Sequence, residues 1–193
     1  MKVLLTEQEI REGVGRLADE ISRFYAERPL TIIGVLTGGL VLLADVIRRI
    51  NLPHQIGVVR ARSYRGAATT PGPLAIALEM LPEVRGRDVL LLDDIFDTGQ
   101  TLEKLAAEIS RLRPASVRSA VLLLKDGRQE VAMRPDHVVF QIPNHFVVGY
   151  GLDYQDGYRH LPYIATLDDA DLEPIGRSGA AESAAATWHR EIQ

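Results

Sequence analysis

At 193 residues, with 46% hydrophobic and 25% charged side chains, the chain has the balance of an ordinary globular protein of one large or two small domains, which excludes wholesale disorder. Cysteine is absent, so there is no disulfide framework, no thiolate nucleophile and no cysteine-bound zinc, and a reducing cytoplasmic setting is expected. The five histidines (His54, His137, His145, His160, His189) lack metal-ligand spacing, apolar runs reach about ten residues against the roughly 20 that span a bilayer, and a net charge of -4 argues against general nucleic-acid binding.

Thr6 followed by Glu9 is a capping box, and Ile10, Val14, Leu17, Ile21 and Phe24 recur at the spacing of an amphipathic helix. Residues 31–36 (TIIGVL) read as a buried strand that stops at Thr37-Gly38-Gly39, after which Leu40, Leu43, Ala44 and Ile47 resume helical spacing. Residues 55–61 look extended. Residues 63–73 (SYRGAATTPGP), small, polar and broken by glycine and proline, read as a mobile loop at the tip of a hairpin-like excursion. The excursion returns through the alternating Leu74, Ile76, Leu78 and Met80. Residues 89–92 are a fully apolar strand, and after DDIFDTGQT a second helix follows on Leu102, Leu105, Ala106, Ile109 and Leu112. Residues 117–124 and 138–142 add further strands, with an edge piece expected at 162–167.

Apolar strands alternating with helices predict an α/β fold with a mainly parallel sheet covered on both faces. Beyond Asp168 the composition shifts to Ala, Gly, Ser and acids with a lone Trp188. The expected organisation is therefore a domain over 1–168 and a flexible tail over 169–193.

In open α/β sheets ligands bind where strands end at their carboxyl edge. There the predicted strands deliver Thr37-Gly38-Gly39, then Asp93-Asp94 with Asp97-Thr98-Gly99-Gln100-Thr101, and finally Lys125. Small and hydroxylated residues opening a helix form an anion site, yet three carboxylates beside it would repel a bare phosphate. Hydroxyl groups and a divalent cation resolve the conflict, since hard oxygen ligands suit Mg²⁺, and the pattern reads as a site for a sugar phosphate with magnesium. Asp97-Thr98-Gly99 also copies the DTG of aspartic proteases, but that motif belongs to a duplicated all-β lobe, and here a helix follows. Neither a P-loop nor a GxGxxG pattern occurs.

The segment VLLLDDIFDTGQTL resembles the phosphoribosyl diphosphate signature of type I phosphoribosyltransferases. Within them, VLTGGLVLLADVI, RSYRG, LLLKDGR and FVVGYGLDYQDGYRHLPYIATL resemble the first motif, mobile loop, purine-side lysine and carboxyl-terminal block of the hypoxanthine (hypoxanthine-guanine) phosphoribosyltransferases. The likeness runs over residues 3–167. It implies a twisted, mainly parallel sheet flanked by helices, with a small hood and a mobile loop-hairpin, and a cis peptide at Leu36-Thr37.

The implied reaction moves 5-phosphoribosyl from phosphoribosyl diphosphate to N9 of hypoxanthine, and guanine, releasing pyrophosphate. Asp97 would be the acid-base residue at purine N7. Asp93 and Asp94 would hold the ribose hydroxyls and magnesium, and Thr98, Gly99, Gln100 and Thr101 would cradle the 5'-phosphate. On the purine side, Lys125 would donate to the 6-oxo group, Phe146 stack on the base, Val147 read its edge through the backbone, and Asp153 serve a second magnesium. Thr37, Gly38, Gly39 and Arg159 would bind pyrophosphate, and Ser63 and Tyr64 would close over the ribosyl centre. Two departures stand out: Thr37 replaces a basic residue and Gln100 a lysine found in some relatives, which shifts anion binding toward backbone N–H groups and Arg159.

Lys125 suits any 6-oxopurine, so hypoxanthine, guanine and xanthine stay open and adenine is expected to be poor. An alternative is a nucleotide-sensing RNA-binding regulator on the same fold; it requires a basic face, for which only the local patch Arg60, Arg62 and Arg65 offers itself. Expected partners are phosphoribosyl diphosphate and the base, with neither nucleic acid nor membrane, in a homodimer or homotetramer by resemblance.

Overall fold

In a computed structural model, which describes residues 1–63, 74–78 and 80–167, the chain runs β1 (Lys2–Leu5), α1 (Glu7–Tyr25), β2 (Leu30–Leu36), α2 (Leu40–Ile47), β3 (His54–Ser63), β4 (Leu74–Ala77), β5 (Asp88–Phe96), α3 (Gln100–Arg111), β6 (Ser116–Lys125), β7 (His137–Ile142), β8 (Val147–Val148) and β9 (Ile164–Thr166). Tyr64, the loop at 64–73 and the tail at 169–193 lie outside the described residues.

The unbroken apolar runs become the centre of a six-stranded sheet in the order β4-β3-β2-β5-β6-β7, parallel throughout except for the antiparallel β3-β4 pair. Successive strand residues point to opposite faces, so each run feeds two cores. Leu90 and Leu92 of β5 join Ile10, Val14, Leu17 and Ile21 of α1 and Leu42 and Val46 of α2. Val89 and Leu91 join Leu102, Leu105 and Ile109 of α3 on the other face. Full burial stabilises each such aliphatic side chain by about 1.5–3 kcal/mol. The α1 start is fixed as its sequence predicts: Glu9 N donates to Thr6 Oγ1 at 3.3 Å, and Thr6 N donates to Glu9 Oε2 at 2.8 Å.

The chain leaves β2 toward β3 on one side, and β5 then inserts on the other side. The carboxyl ends of β2 and β5 therefore flank the point where strand order reverses, the place such sheets reserve for ligands. β5 is longer than its apolar run: Asp93, Ile95 and Phe96 still pair with Val121, Leu123 and Leu124 of β6. Asp93 and Asp94 thus sit within the strand rather than after it, because ladder hydrogen bonds depend on the backbone and tolerate acidic side chains.

A second sheet, in the order β1-β9-β8, is antiparallel and forms the small hood. This corrects the expectation of an edge piece at 162–167: β9 is the central strand, with Lys2 and Val147 both opposite Thr166. The alternation expected to run from Leu74 to Met80 is realised as strand only to Ala77. Among the described residues no helix is long and apolar enough to cross a membrane.

Candidate active site

At the end of β2 the Leu36–Thr37 peptide is cis, and the turn closes by Gly39 N donating to Val35 O at 3.1 Å and Leu40 N to Thr37 O at 3.2 Å. Gly38 lies flat against Asp94: a Cβ there would stand 1.6 Å from Asp94 Oδ2. From the other side comes Gly151 of the hood, at φ +100°, where a Cβ would stand 2.2 Å from the Gly38 carbonyl oxygen. Bare backbone at both positions is what lets the hood, the β2 turn and the β5 carboxylate meet.

Asp93 is buried and Asp94 is half-buried, and Asp94 N donates to Asp93 Oδ1 at 3.0 Å. Burial, then the neighbouring Asp94 charge, pushes the Asp93 carboxyl well above the usual carboxylate range. Burial also raises Asp94, against the pull of the Arg159 charge. Two hard oxygen donors whose ionisation is resisted in this way suit a divalent cation. Among the described residues, no three His, Cys, Asp or Glu side chains form a cluster that could hold a metal. Asp93, Asp94 and Asp153 therefore make no shared cage, and a cation held by Asp93 and Asp94 would need its remaining ligands from elsewhere.

Beyond β5 the turn Thr98-Gly99 opens α3, with Gly99 as its N-cap. Gly38, Asp93, Asp94, Asp97, Thr98 and Thr101 line a single cavity of about 240 Å³. The expected sugar-phosphate residues are thus brought together, except that the Gln100 side chain is engaged elsewhere: its Nε2 donates to Glu130 Oε2 at 2.6 Å.

Asp97 meets the end of β6. Lys125 Nζ donates to Asp97 Oδ2 at 3.3 Å, and Arg128 Nε donates to Oδ1 at 3.0 Å. The lysine side chain is only 11% exposed, so without a carboxylate or ligand its charge would be costly. Asp97 raises the Arg128 guanidinium above its ordinary value through this hydrogen bond. Arg128 was not singled out by sequence reasoning. The available signal was the Asp126-Gly127 turn directly after a strand, which folds the following residues back over the strand end.

In the hood, Phe146 is 46% exposed and meets Tyr154 edge-on, ring centres 5.7 Å apart. Val147 is buried in β8. Arg159 donates to the Gly151 carbonyl at 2.7 Å and pairs with Asp153 Oδ1 at 2.8 Å and Asp156 Oδ1 at 3.4 Å. Asp156 N donates to Asp153 Oδ2 at 2.9 Å. Phe146, Val147, Asp153 and Arg159 are thus carried by the hood and stand outside the lining of the 240 Å³ cavity. The hood is tied to α2 by the Tyr150 hydroxyl donating to Asp45 Oδ2 at 2.7 Å, which with burial raises the tyrosine pKa. Ser63 is the last residue of β3.

Comparison with known proteins places the fold among characterised relatives. Residues 2–155 match the phosphoribosyl transferase domain. The hypoxanthine-guanine phosphoribosyltransferase of Streptococcus pneumoniae is 36% identical over 168 residues, covering 87% of this chain and 93% of the relative. The hypoxanthine phosphoribosyltransferase of Haemophilus influenzae is 38% identical over 168 residues, covering 86% and 94%. The crystal structure of a hypoxanthine phosphoribosyltransferase from Staphylococcus aureus superposes with a TM-score of 0.84 at 33% identity, covering 90% of this chain and 95% of that one.

Proposed function

The chain belongs to the phosphoribosyl transferase family, and on that premise we propose how its residues divide the work of making a purine nucleotide. The enzyme moves the 5-phosphoribosyl group from phosphoribosyl diphosphate to N9 of hypoxanthine or guanine, giving IMP or GMP and pyrophosphate. The observation that carries the assignment of roles is the ion pair of Lys125 with Asp97 beside the Thr98-Gly99 turn. The 6-oxo oxygen and N7 are neighbours on one edge of a purine, and an ammonium beside a carboxylate matches them in order.

The base lies with its oxo oxygen toward Lys125 Nζ and N7 toward Asp97, stacked against Phe146, with its far edge on the Val147 backbone. As the bond from C1' to N9 forms and the bond from C1' to the pyrophosphate oxygen breaks, the N7 proton passes to the Asp97 carboxylate and its electron pair stays in the ring. Thr98, Gly99, Gln100 and Thr101 hold the 5'-phosphate at the α3 N-terminus. Thr37, Gly38 and Gly39 take the pyrophosphate with Arg159, which exchanges its carboxylates Asp153 and Asp156 for it. Asp93 and Asp94 bind the ribose hydroxyls and would hold Mg²⁺, with Asp153 near a second ion; the metal would supply charge neutralisation to the departing pyrophosphate. The absence of cysteine supports a cytoplasmic setting, and the family resemblance supports a homodimer or homotetramer.

Pyrophosphate release, with phosphoribosyl diphosphate, Mg²⁺ and hypoxanthine, guanine, xanthine or adenine supplied in parallel, tests the reading. Hypoxanthine and guanine are expected to turn over and adenine to be at least about 100-fold slower, because its amino group opposes the lysine donor. Folded protein releasing no pyrophosphate with any base would overturn it.

A further inference from the structure

Three consecutive residues outside the assigned site touch each of its working parts. After β6 the chain reverses at Asp126-Gly127, with Gly127 at φ +67° and Asp126 N anchored to Ile142 O at 2.9 Å. It then returns as a strap across the site. Arg128 Nε donates to Asp97 Oδ1, Gln129 Nε2 donates to the Lys125 carbonyl, and Glu130 accepts from Gln100 Nε2 while its own N donates to Thr98 O at 2.9 Å. Acid-base residue, purine-side lysine and phosphate turn are all gripped by one tripeptide.

The ion-pair geometry divides the two Asp97 oxygens between two cations. Lys125 occupies Oδ2 and Arg128 occupies Oδ1. A base entering between Lys125 and Asp97 must take the ammonium for its oxo group and Oδ2 for N7, which strips the carboxylate of one cation as the reaction begins. Arg128 is placed to stay. It holds the oxygen that Lys125 does not, it is itself 45% exposed and free to follow the carboxylate, and its planar fork fixes the plane of the group it binds.

Resting on the roles assigned above to Asp97 and Lys125, we propose that Arg128 is a positioning residue for proton transfer: it clamps Asp97 by Oδ1 so that Oδ2 is presented to purine N7 while Lys125 moves to the base. Arg128 touches the reaction only through Asp97.

The test compares wild type, Arg128→Gln, Arg128→Lys, Asp97→Asn and the double variant R128Q/D97N by kcat and KM for hypoxanthine and phosphoribosyl diphosphate. R128Q is expected to lower kcat about 10-fold while the KM for phosphoribosyl diphosphate stays within about twofold, and R128K to recover part of the loss. In the D97N background the same R128Q change is expected to alter kcat less than about twofold, since there is no carboxylate left to position. An unchanged kcat in R128Q, or a full 10-fold loss persisting without Asp97, overturns the proposal. Should R128Q not fold, R128K decides: about a threefold lower kcat at constant KM for phosphoribosyl diphosphate supports the clamp, and wild-type kcat removes it. If wild type itself turned over no 6-oxopurine, the functional reading would fall instead, so the two failures are separate.

Discussion

Replacing Asp93 by Asn is expected to make the substrate-free protein more stable at neutral pH while abolishing its response to substrate. Asn keeps the shape and the Oδ1 that accepts from Asp94 N, but removes a buried charge whose ionisation is resisted by desolvation and by Asp94. The sign follows from linkage. A carboxyl whose folded pKa is raised above its unfolded value, near 3.8, binds more protons in the folded state, so stability is lost as pH climbs from about that value through the raised one. Below that window both states are protonated and the variant has no advantage; above it the full penalty falls on wild type alone. A single stabilising substitution commonly returns about 0.5–2 kcal/mol, which for a chain of this size is a rise in Tm of about 1–8 °C. Wild type should gain about 2.7 kcal/mol from ligand at 100 times its Kd, and the variant close to none. Thermal melts between pH 4 and 8, with and without phosphoribosyl diphosphate and Mg²⁺, read all three quantities. A variant less stable than wild type at pH 7 to 8, or a difference that does not open as pH rises, would refute the reasoning.

Three other perturbations probe separate parts of the site. Asp97→Asn should lower kcat by about 10²–10⁴-fold with little change in hypoxanthine affinity; unaltered turnover in steady-state kinetics would strip Asp97 of its role. In Gly38→Ala the new Cβ would meet Asp94 Oδ2, forcing the carboxylate aside, so kcat/KM for phosphoribosyl diphosphate should fall about 100-fold, and a value near wild type would show that the close packing is dispensable. Tyr150→Phe removes the 2.7 Å donation to Asp45; a hydrogen bond to a charged group contributes about 1.5–3 kcal/mol, so Tm in a calorimetric scan should drop by about 3–12 °C, and an unchanged Tm would mean the hood is held to α2 by packing alone.

Residues with local, periodic signatures were legible in advance. The alternation of apolar strands with helices placed β2, β5, β6 and β7 in a parallel sheet, and Thr6 with Glu9 marked the α1 start. The grouping of Asp93, Asp94, Asp97, Thr98 and Thr101 with Gly38 followed from one rule about strand ends, and the cis bond at Leu36–Thr37 from resemblance. The hood was expected from resemblance alone: β1, β8 and β9 are two to four residues long, too short for a period to show, and pairing between Lys2 and Thr166 leaves no local trace. Side-chain partners were hidden for a related reason: that Arg159 grips Asp153, or that Arg128 reaches back to Asp97, depends on how a loop returns through space.

The pairing of β1 with β9 has a consequence for the order in which the molecule is assembled. Lys2 and Thr166, 164 positions apart, meet through the Thr166 hydroxyl and the Lys2 carbonyl as well as through their strands. A nascent chain therefore carries β1 unpaired while the six-stranded sheet, with Asp93, Asp94 and the Thr98-Gly99 turn, is already complete by Ile142. The two parts are finished at different times: the sheet that carries Asp97 and Lys125 is complete before β9 exists, whereas Phe146 and Val147 are fixed only when β9 emerges and docks on β1 and β8.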